Sequence, residues 1–126
     1  MPIYGVGSDI IDISRIQKSL KNDTFKKKLF SSKEIKIIQT KSNRIASYAK
    51  RFAAKEAFSK ALGTGISKGL SFKEISIIND KNGKPYIELS GKTKSIVRLI
   101  LKKKYKIFLT ISDERKYALA MVIITF

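Results

Sequence analysis

Three side chains in this chain have types and surroundings that suit chemistry better than packing: Asp9, Glu56 and Lys60. Asp9 stands within Val6-Gly7-Ser8-Asp9-Ile10-Ile11, an apolar strand context in which a lone carboxylate is unfavourable. Glu56 and Lys60 lie one turn apart in the longest helical pattern, residues 44–62. On a wheel at about 100° per residue, Ile45, Ala49, Phe52 and Ala53 form one packed stripe. Glu56 falls in the middle of that stripe and Lys60 beside it, while Lys50, Arg51 and Lys55 fall on its flanks or back. An acid on a core face is costly unless it is paired or holds a metal. Two carboxylates suit one hard cation, which takes one or two carboxylates plus waters and substrate phosphates. A satisfied Glu–Lys pair in the core, with Asp9 as a turn or cap residue, would use the same residues without any chemistry.

The segment after the helix, Gly63-Thr64-Gly65-Ile66-Ser67-Lys68-Gly69, offers backbone N–H groups of the kind that cradle phosphate. It matches neither a P-loop nor a dinucleotide fingerprint, and a plain C-terminal cap loop would look the same. Joined to Lys60 and the two carboxylates, it points to a metal-assisted phosphoryl or pyrophosphate site. Histidine and cysteine are both absent. That excludes Ser-His-Asp and Cys-His mechanisms, disulfides and zinc fingers. Any metal must be a hard cation such as Mg²⁺ on oxygen ligands, and any general base must be Asp, Glu, Lys, Tyr or a metal-bound water.

The elements that position these groups follow from pattern and punctuation. Residues 3–13 read as a β-branched strand broken by Gly5, Gly7 and Asp9, and the glycines allow a close backbone approach. Ser14 is placed to cap a short helix through Leu20, and Asp23 to cap another short turn containing Phe25 and Leu29. Ser31 with Glu34 is a capping box opening a helix to about Thr40. The helix over 44–62 stops at Gly63. Phe72–Asn79 and Tyr86–Leu89 flank the turn cluster Asp80-Lys81-Asn82-Gly83-Lys84-Pro85 as one hairpin. A helix over 92–104 follows. Residues 107–111 and 117–123 alternate as a second hairpin with one buried face. The fold class is α+β, mostly antiparallel sheet with a long central helix and further helices packed on one side.

At 126 residues and 14.2 kDa the chain is sized for a single domain, 1–126, with its own core. Lys+Arg is 27 against Asp+Glu 10, a net charge of +17, so an acidic or phosphorylated partner is expected. The 22 Lys, 5 Arg and 20 Ile also follow from AT-rich codons, which raise basicity without function. No apolar run approaches the ~20 residues of a membrane span, and the N-terminus lacks the pattern of a signal peptide. A cytoplasmic protein with no membrane partner is expected.

The segment Arg51-Phe52-Ala53-Ala54-Lys55-Glu56-Ala57-Phe58-Ser59-Lys60-Ala61-Leu62-Gly63-Thr64-Gly65-Ile66 resembles the signature of the holo-(acyl-carrier-protein) synthases, a family of 4′-phosphopantetheinyl transferases. Gly5-Val6-Gly7-Ser8-Asp9-Ile10 with Arg15, Ser71-Phe72 with Ile75, Asn82-Gly83-Lys84-Pro85 and Ile111-Ser112-Asp113-Glu114-Arg115 with Tyr117-Ala118 extend the resemblance over essentially the whole chain. The resemblance implies transfer of 4′-phosphopantetheine from coenzyme A to a serine of apo acyl carrier protein in fatty-acid biosynthesis, with Mg²⁺ required. It implies that Asp9 and Glu56 bind the metal, that Lys60 neutralises the pyrophosphate, and that Gly63, Thr64, Gly65 and Ile66 lie along the nucleotide. It further implies a homotrimer with active sites between subunits. The candidate bases for the carrier's serine are Glu56 and a metal-bound water, with Glu56 acting through a water preferred. Since acyl carrier proteins are acidic, Arg15, Lys18 and Lys21 are candidate partner contacts, Arg15 first; Lys18 and Lys21 would equally suit a solvated face. Many relatives carry histidine at the position of Asp113, so the role of Asp113 stays open. The alternative function is a small basic nucleic-acid-binding module, which leaves Asp9 and Glu56 unexplained and carries no known binding motif.

Overall fold

The computed structural model describes residues 2–64 and 69–126. The chain runs β1 (Ile3–Asp12), α1 (Ile13–Ser19), α2 (Asp23–Leu29), α3 (Ser32–Gln39), α4 (Arg44–Leu62), a 3₁₀ turn (Phe72–Glu74), β2 (Ile75–Asn79), β3 (Pro85–Leu89), α5 (Gly91–Leu101), β4 (Lys106–Asp113) and β5 (Tyr117–Thr125). All strand pairs are antiparallel, but they make two sheets rather than one: β1-β5-β4 and β2-β3. Both expected hairpins form. The expected strand from Phe72 begins only at Ile75, because residues 72–74 make a tight turn first.

Two cap assignments are corrected. Asp12, not Ser14, caps α1, its carboxylate accepting from the Ser14 N–H. Asn22, not Asp23, caps α2 through the N–H groups of Thr24 and Phe25. In both cases the residue one or two places upstream has extended backbone and reaches the free N–H groups first. The Ser31–Glu34 capping box forms as expected, and α4 ends at Gly63 with φ +85°.

Helix α4 is the axis of the molecule, packed on β1 and β5 by one side and on β2 and the 3₁₀ turn by another. Ala53, Ala54, Ala57 and Ala61 are almost wholly buried in a core with Phe58, Ile77, Val97, Ala120 and Val122. Small residues here let backbones approach. A Cβ built on Gly7 would lie 2.0 Å from the Ala57 carbonyl oxygen, and one on Gly5 1.9 Å from that of Ala61. The glycines therefore seat β1 directly on α4, and this close seating sets Asp9 beside the helix.

Helix α4 is buried well beyond the apolar stripe expected of it. The flank and back residues Arg51 and Lys55 are buried, at 2% and 0% exposure, so the helix has no solvent-facing back over this stretch. The Lys55 ammonium donates to Glu34 Oε1 at 2.7 Å, to the Phe72 carbonyl at 2.7 Å and to the Ile75 carbonyl. Arg51 donates to the Ile77 carbonyl, Ser47 Oγ and Asn79 Oδ1. A periodicity rule sorts apolar from polar; it cannot see that a second sheet covers the polar side and satisfies it.

Candidate active site

Strand β1 and helix α4 bring Asp9, Glu56 and Lys60 to one place. Lys60 Nζ donates to Asp9 Oδ1 at 3.0 Å and to the Ser8 carbonyl at 3.0 Å. The lysine side chain is 55% exposed and that of Asp9 17%. Lys60 thus pairs with the strand's carboxylate, not with the glutamate one turn before it. Glu56 is half-buried, and its carboxyl is pushed above the ordinary range. Burial is the main cause and the neighbouring negative charge of Asp9 the second, with Lys60 acting in the opposite direction. Two carboxylates close enough to repel electrostatically, with one lysine between them, form a site short of positive charge.

Asp9 and Glu56 line a cleft of about 410 Å³. Its other walls are apolar (Ile10, Ile11, Ile16, Phe25, Phe52), with Arg15 and Ser19 at the α1 side. Phe25 and Phe52 pack at 6.3 Å between ring centroids. These aromatic walls were missed in the sequence, where Phe52 reads as part of the packed stripe of α4 and Phe25 only as part of a short turn. Of the candidate partner contacts, Arg15 reaches this cleft, whereas Lys18 and Lys21 do not line it. Both remain exposed around the end of α1. Gly63 is the left-handed cap of α4 and Thr64 follows it, while Gly65 and Ile66 lie outside the described residues.

A second cleft, of about 460 Å³, opens at the other end of α4 between Lys41, Lys50, Asn79 and Pro85. Asp113 lines it and pairs with Lys50 at 3.0 Å. Asp113 is therefore engaged in an ion pair away from the Asp9–Glu56 cleft.

Residues 5–122 match the model of the 4′-phosphopantetheinyl transferase superfamily. The chain belongs to that superfamily. Within it, the chain is similar to the holo-(acyl-carrier-protein) synthase of Pelagibacter ubique, at 52% identity over 98% of each chain. The solved holo-(acyl-carrier-protein) synthase of Neisseria meningitidis has the same fold, with a TM-score of 0.88 and 35% identity over 99% of this chain and all of that one. The corresponding synthase of Bacillus anthracis, solved in complex with CoA, superposes with a TM-score of 0.79 at 35% identity over 97% and 96% of the two chains. The α+β fold is thus that of the 4′-phosphopantetheinyl transferases, as the motif resemblance implied.

The donor set fits a hard divalent cation. Among the described residues no cluster of three or more acidic side chains exists, so Asp9 and Glu56 would supply two ligands and leave the rest to water and substrate oxygens. That is the ordinary division for Mg²⁺ with a phosphate substrate.

Proposed function

We infer that this chain transfers 4′-phosphopantetheine from coenzyme A to a serine of apo acyl carrier protein, giving the holo carrier and adenosine 3′,5′-bisphosphate. The observation that carries it is the convergence of Asp9 and Glu56 on one cleft, with Lys60 bonded to Asp9 beside it, in a chain alike in full length to synthases of this activity. In the reaction the serine oxygen bonds to the phosphorus that bears pantetheine. The bridging P–O bond of the pyrophosphate breaks, and the serine proton is lost to a base.

Asp9 and Glu56 would hold Mg²⁺, which supplies neutralisation of the pyrophosphate charge. Lys60, exposed at the rim of the site, can turn an N–H from Asp9 toward a phosphate oxygen and stabilise the leaving bisphosphate. Glu56 is the candidate base, taking the serine proton through a water; its raised affinity for protons suits that task. Gly63, Thr64, Gly65 and Ile66 are proposed to border the nucleotide. Arg15, at the mouth of the cleft, meets the acidic carrier, with Lys18 and Lys21 adding to the attractive field. Phosphoryl transfer asks mainly for positioning and charge neutralisation, so this short roster suffices.

The protein is proposed to act as one domain, 1–126, in fatty-acid synthesis in the cytoplasm, and as a homotrimer. The outer face of the β1-β5-β4 sheet exposes Val6, Ile10, Phe108, Leu119 and Met121 at 41–64%. An apolar patch of that kind marks an interface. A nucleic-acid module would set two carboxylates with a single lysine against phosphate and leave them without a role. The deciding test is to weigh apo acyl carrier protein after incubation with the protein, coenzyme A and Mg²⁺. A gain of one phosphopantetheine, abolished by EDTA, is expected; no gain with a folded protein and a cognate carrier would overturn the reading.

A further inference from the structure

Helix α5 carries a charged face that the transfer chemistry does not use. Residues 91–106 contain seven Lys or Arg and no acidic residue. Thr93, Val97 and Leu101 bury the inner side of α5, and Val97 and Leu101 join the central core. At about 100° per residue the opposite side presents Lys92, Ser95 and Leu99 with Arg98 on its flank, while Lys94 falls beside Leu101 and turns toward Tyr105 and Ile107. All five are exposed. Lys102, Lys103 and Lys104 continue it past the helix end, with Lys103 above the Phe126 ring at 5.1 Å.

The acid bonded to this helix is Glu74, at the N-terminal end. Its carboxylate is taken up by the N–H groups of Lys92 and Thr93 and the Thr93 hydroxyl. The rest of the face is uncompensated by any ion pair among the described residues. Leu99 stands in the middle of it at 74% exposure, the most exposed large apolar side chain described.

We propose that the outer face of α5 is a docking surface for an anionic lipid bilayer. A row of cations gains about 1 kcal/mol each near such a surface, a roughly fivefold gain in partitioning per cation. A helix lying in the interface with an apolar side chain toward the acyl boundary is a familiar geometry for such contacts. Leu99 distinguishes this partner from a polyphosphate chain, because an exposed leucine gains nothing from phosphate but gains from lipid. Helix α5 itself carries no aromatic side chain to stack a base. The face is on the helical side of the β1-β5-β4 sheet, so a trimer joined through the sheet's outer side leaves it open. A lipid contact here departs from the sequence expectation of no membrane partner, which was drawn from the lack of a spanning segment. No helix among the described residues can span, and a surface contact needs none.

The test is co-sedimentation of the intact chain with vesicles of pure phosphatidylcholine and of phosphatidylcholine mixed with phosphatidylglycerol. Binding to the anionic vesicles alone, weakened by salt, is expected. The pair Lys92→Gln/Arg98→Gln should lower it about 25-fold at roughly fivefold per cation, and Leu99→Ser should lower it several-fold at unchanged charge. Lys36→Gln/Lys81→Gln removes the same charge from exposed sites elsewhere and should leave binding near that of the parent. Equal loss in that control pair would reduce the effect to net charge and overturn the proposal, as would α5 variants that bind like the parent or a parent that ignores anionic vesicles. Retention of duplex DNA through the α5 cations without vesicle binding would make the face a nucleic-acid surface and also overturn it. Phosphopantetheine transfer measured on the α5 variants should be unchanged, so failure here is distinguishable from failure of the transferase reading.

Discussion

Of the three lysine–carboxylate pairs that helix α4 makes, the two nearest its C-terminal end behave in opposite ways. Lys55 meets Glu34 with both side chains at 0% exposure. Lys60, five residues on, meets Asp9 with the two at 55% and 17%. The inner pair is saturated. Lys55 has three acceptors, and Glu34 also takes the N–H groups of Ser31 and Ile77. This ties α3, α4, the 3₁₀ turn and β2 together. The outer pair is open, with a second carboxylate beside it and a cleft in front. The same two functional groups give architecture where the hydrogen-bonding positions are filled, while the positions left open beside Asp9 suit the substrate contact proposed for this site. Burial alone would have ranked the inner pair first as a candidate site.

The largest effect that tests this contrast is on turnover. Asp9→Asn and Glu56→Gln should each lower transfer on the order of a thousandfold, as expected for loss of a ligand to a charge-neutralising cation. Circular dichroism and the melting temperature should stay near the parent's. Near-normal turnover in either variant at saturating Mg²⁺ would erase the distinction between the pairs.

The inverse experiment breaks the inner pair. Lys55→Met or Glu34→Gln strands a buried partner, which costs about 3–5 kcal/mol. For a chain of this length that lowers the melting temperature by roughly 10–20 °C. Lys60→Met, by contrast, should leave the melting temperature within a few degrees and act on turnover. If Lys60→Met destabilised as much as Lys55→Met, the outer pair would be architecture too.

A smaller effect concerns the rim of the open pair. Arg15→Glu should raise the KM for carrier protein about tenfold at low salt with little change in kcat, and the difference should shrink as salt rises. A kcat defect instead would move Arg15 from the partner surface into the chemistry.

The smallest effect is in pH. Glu56 holds its proton above the ordinary 4.5, so in the window just above that value the folded chain binds more protons here than the unfolded one. Stability contributed by this group falls as pH rises through the window, while transfer, which needs the carboxylate, rises. Urea midpoints of the parent and Glu56→Gln should therefore converge at the acid end and diverge above it. A parent that gained on the variant with rising pH would mean that Lys60, not burial and Asp9, governs Glu56.

How much of this was legible in advance can be argued from single residues. Asp9 and Glu56 stood out because a carboxylate in an apolar setting is costly wherever the chain goes, and that cost is local. Gly63 and the Ser31–Glu34 box were readable for the same reason, since helix ends are decided within a turn. The caps of α1 and α2 were misplaced to Ser14 and Asp23, where Asp12 and Asn22 take the role, because neighbouring side chains compete for the same N–H groups within one residue or two. Lys55 and Arg51 were placed outside the apolar stripe, and nothing in the local pattern says that a second sheet closes over them. Phe25 and Phe52 carry no local mark that separates a cleft wall from core.

The sequence by itself determined the elements, the antiparallel hairpins, the two misplaced carboxylates and the family. These depend on hydrophobic period, turn chemistry and residue identity, all of which are short-range. Tertiary structure alone decided which lysine pairs with which acid, that Lys60 reaches Asp9 across 51 residues of chain rather than Glu56 on its own helix, and that Lys55 is sealed in the core. Those outcomes depend on how closely β1 seats on α4 through Gly5 and Gly7 and on what covers the far side of the helix. Both are distances between segments remote in sequence, and a helical wheel contains neither.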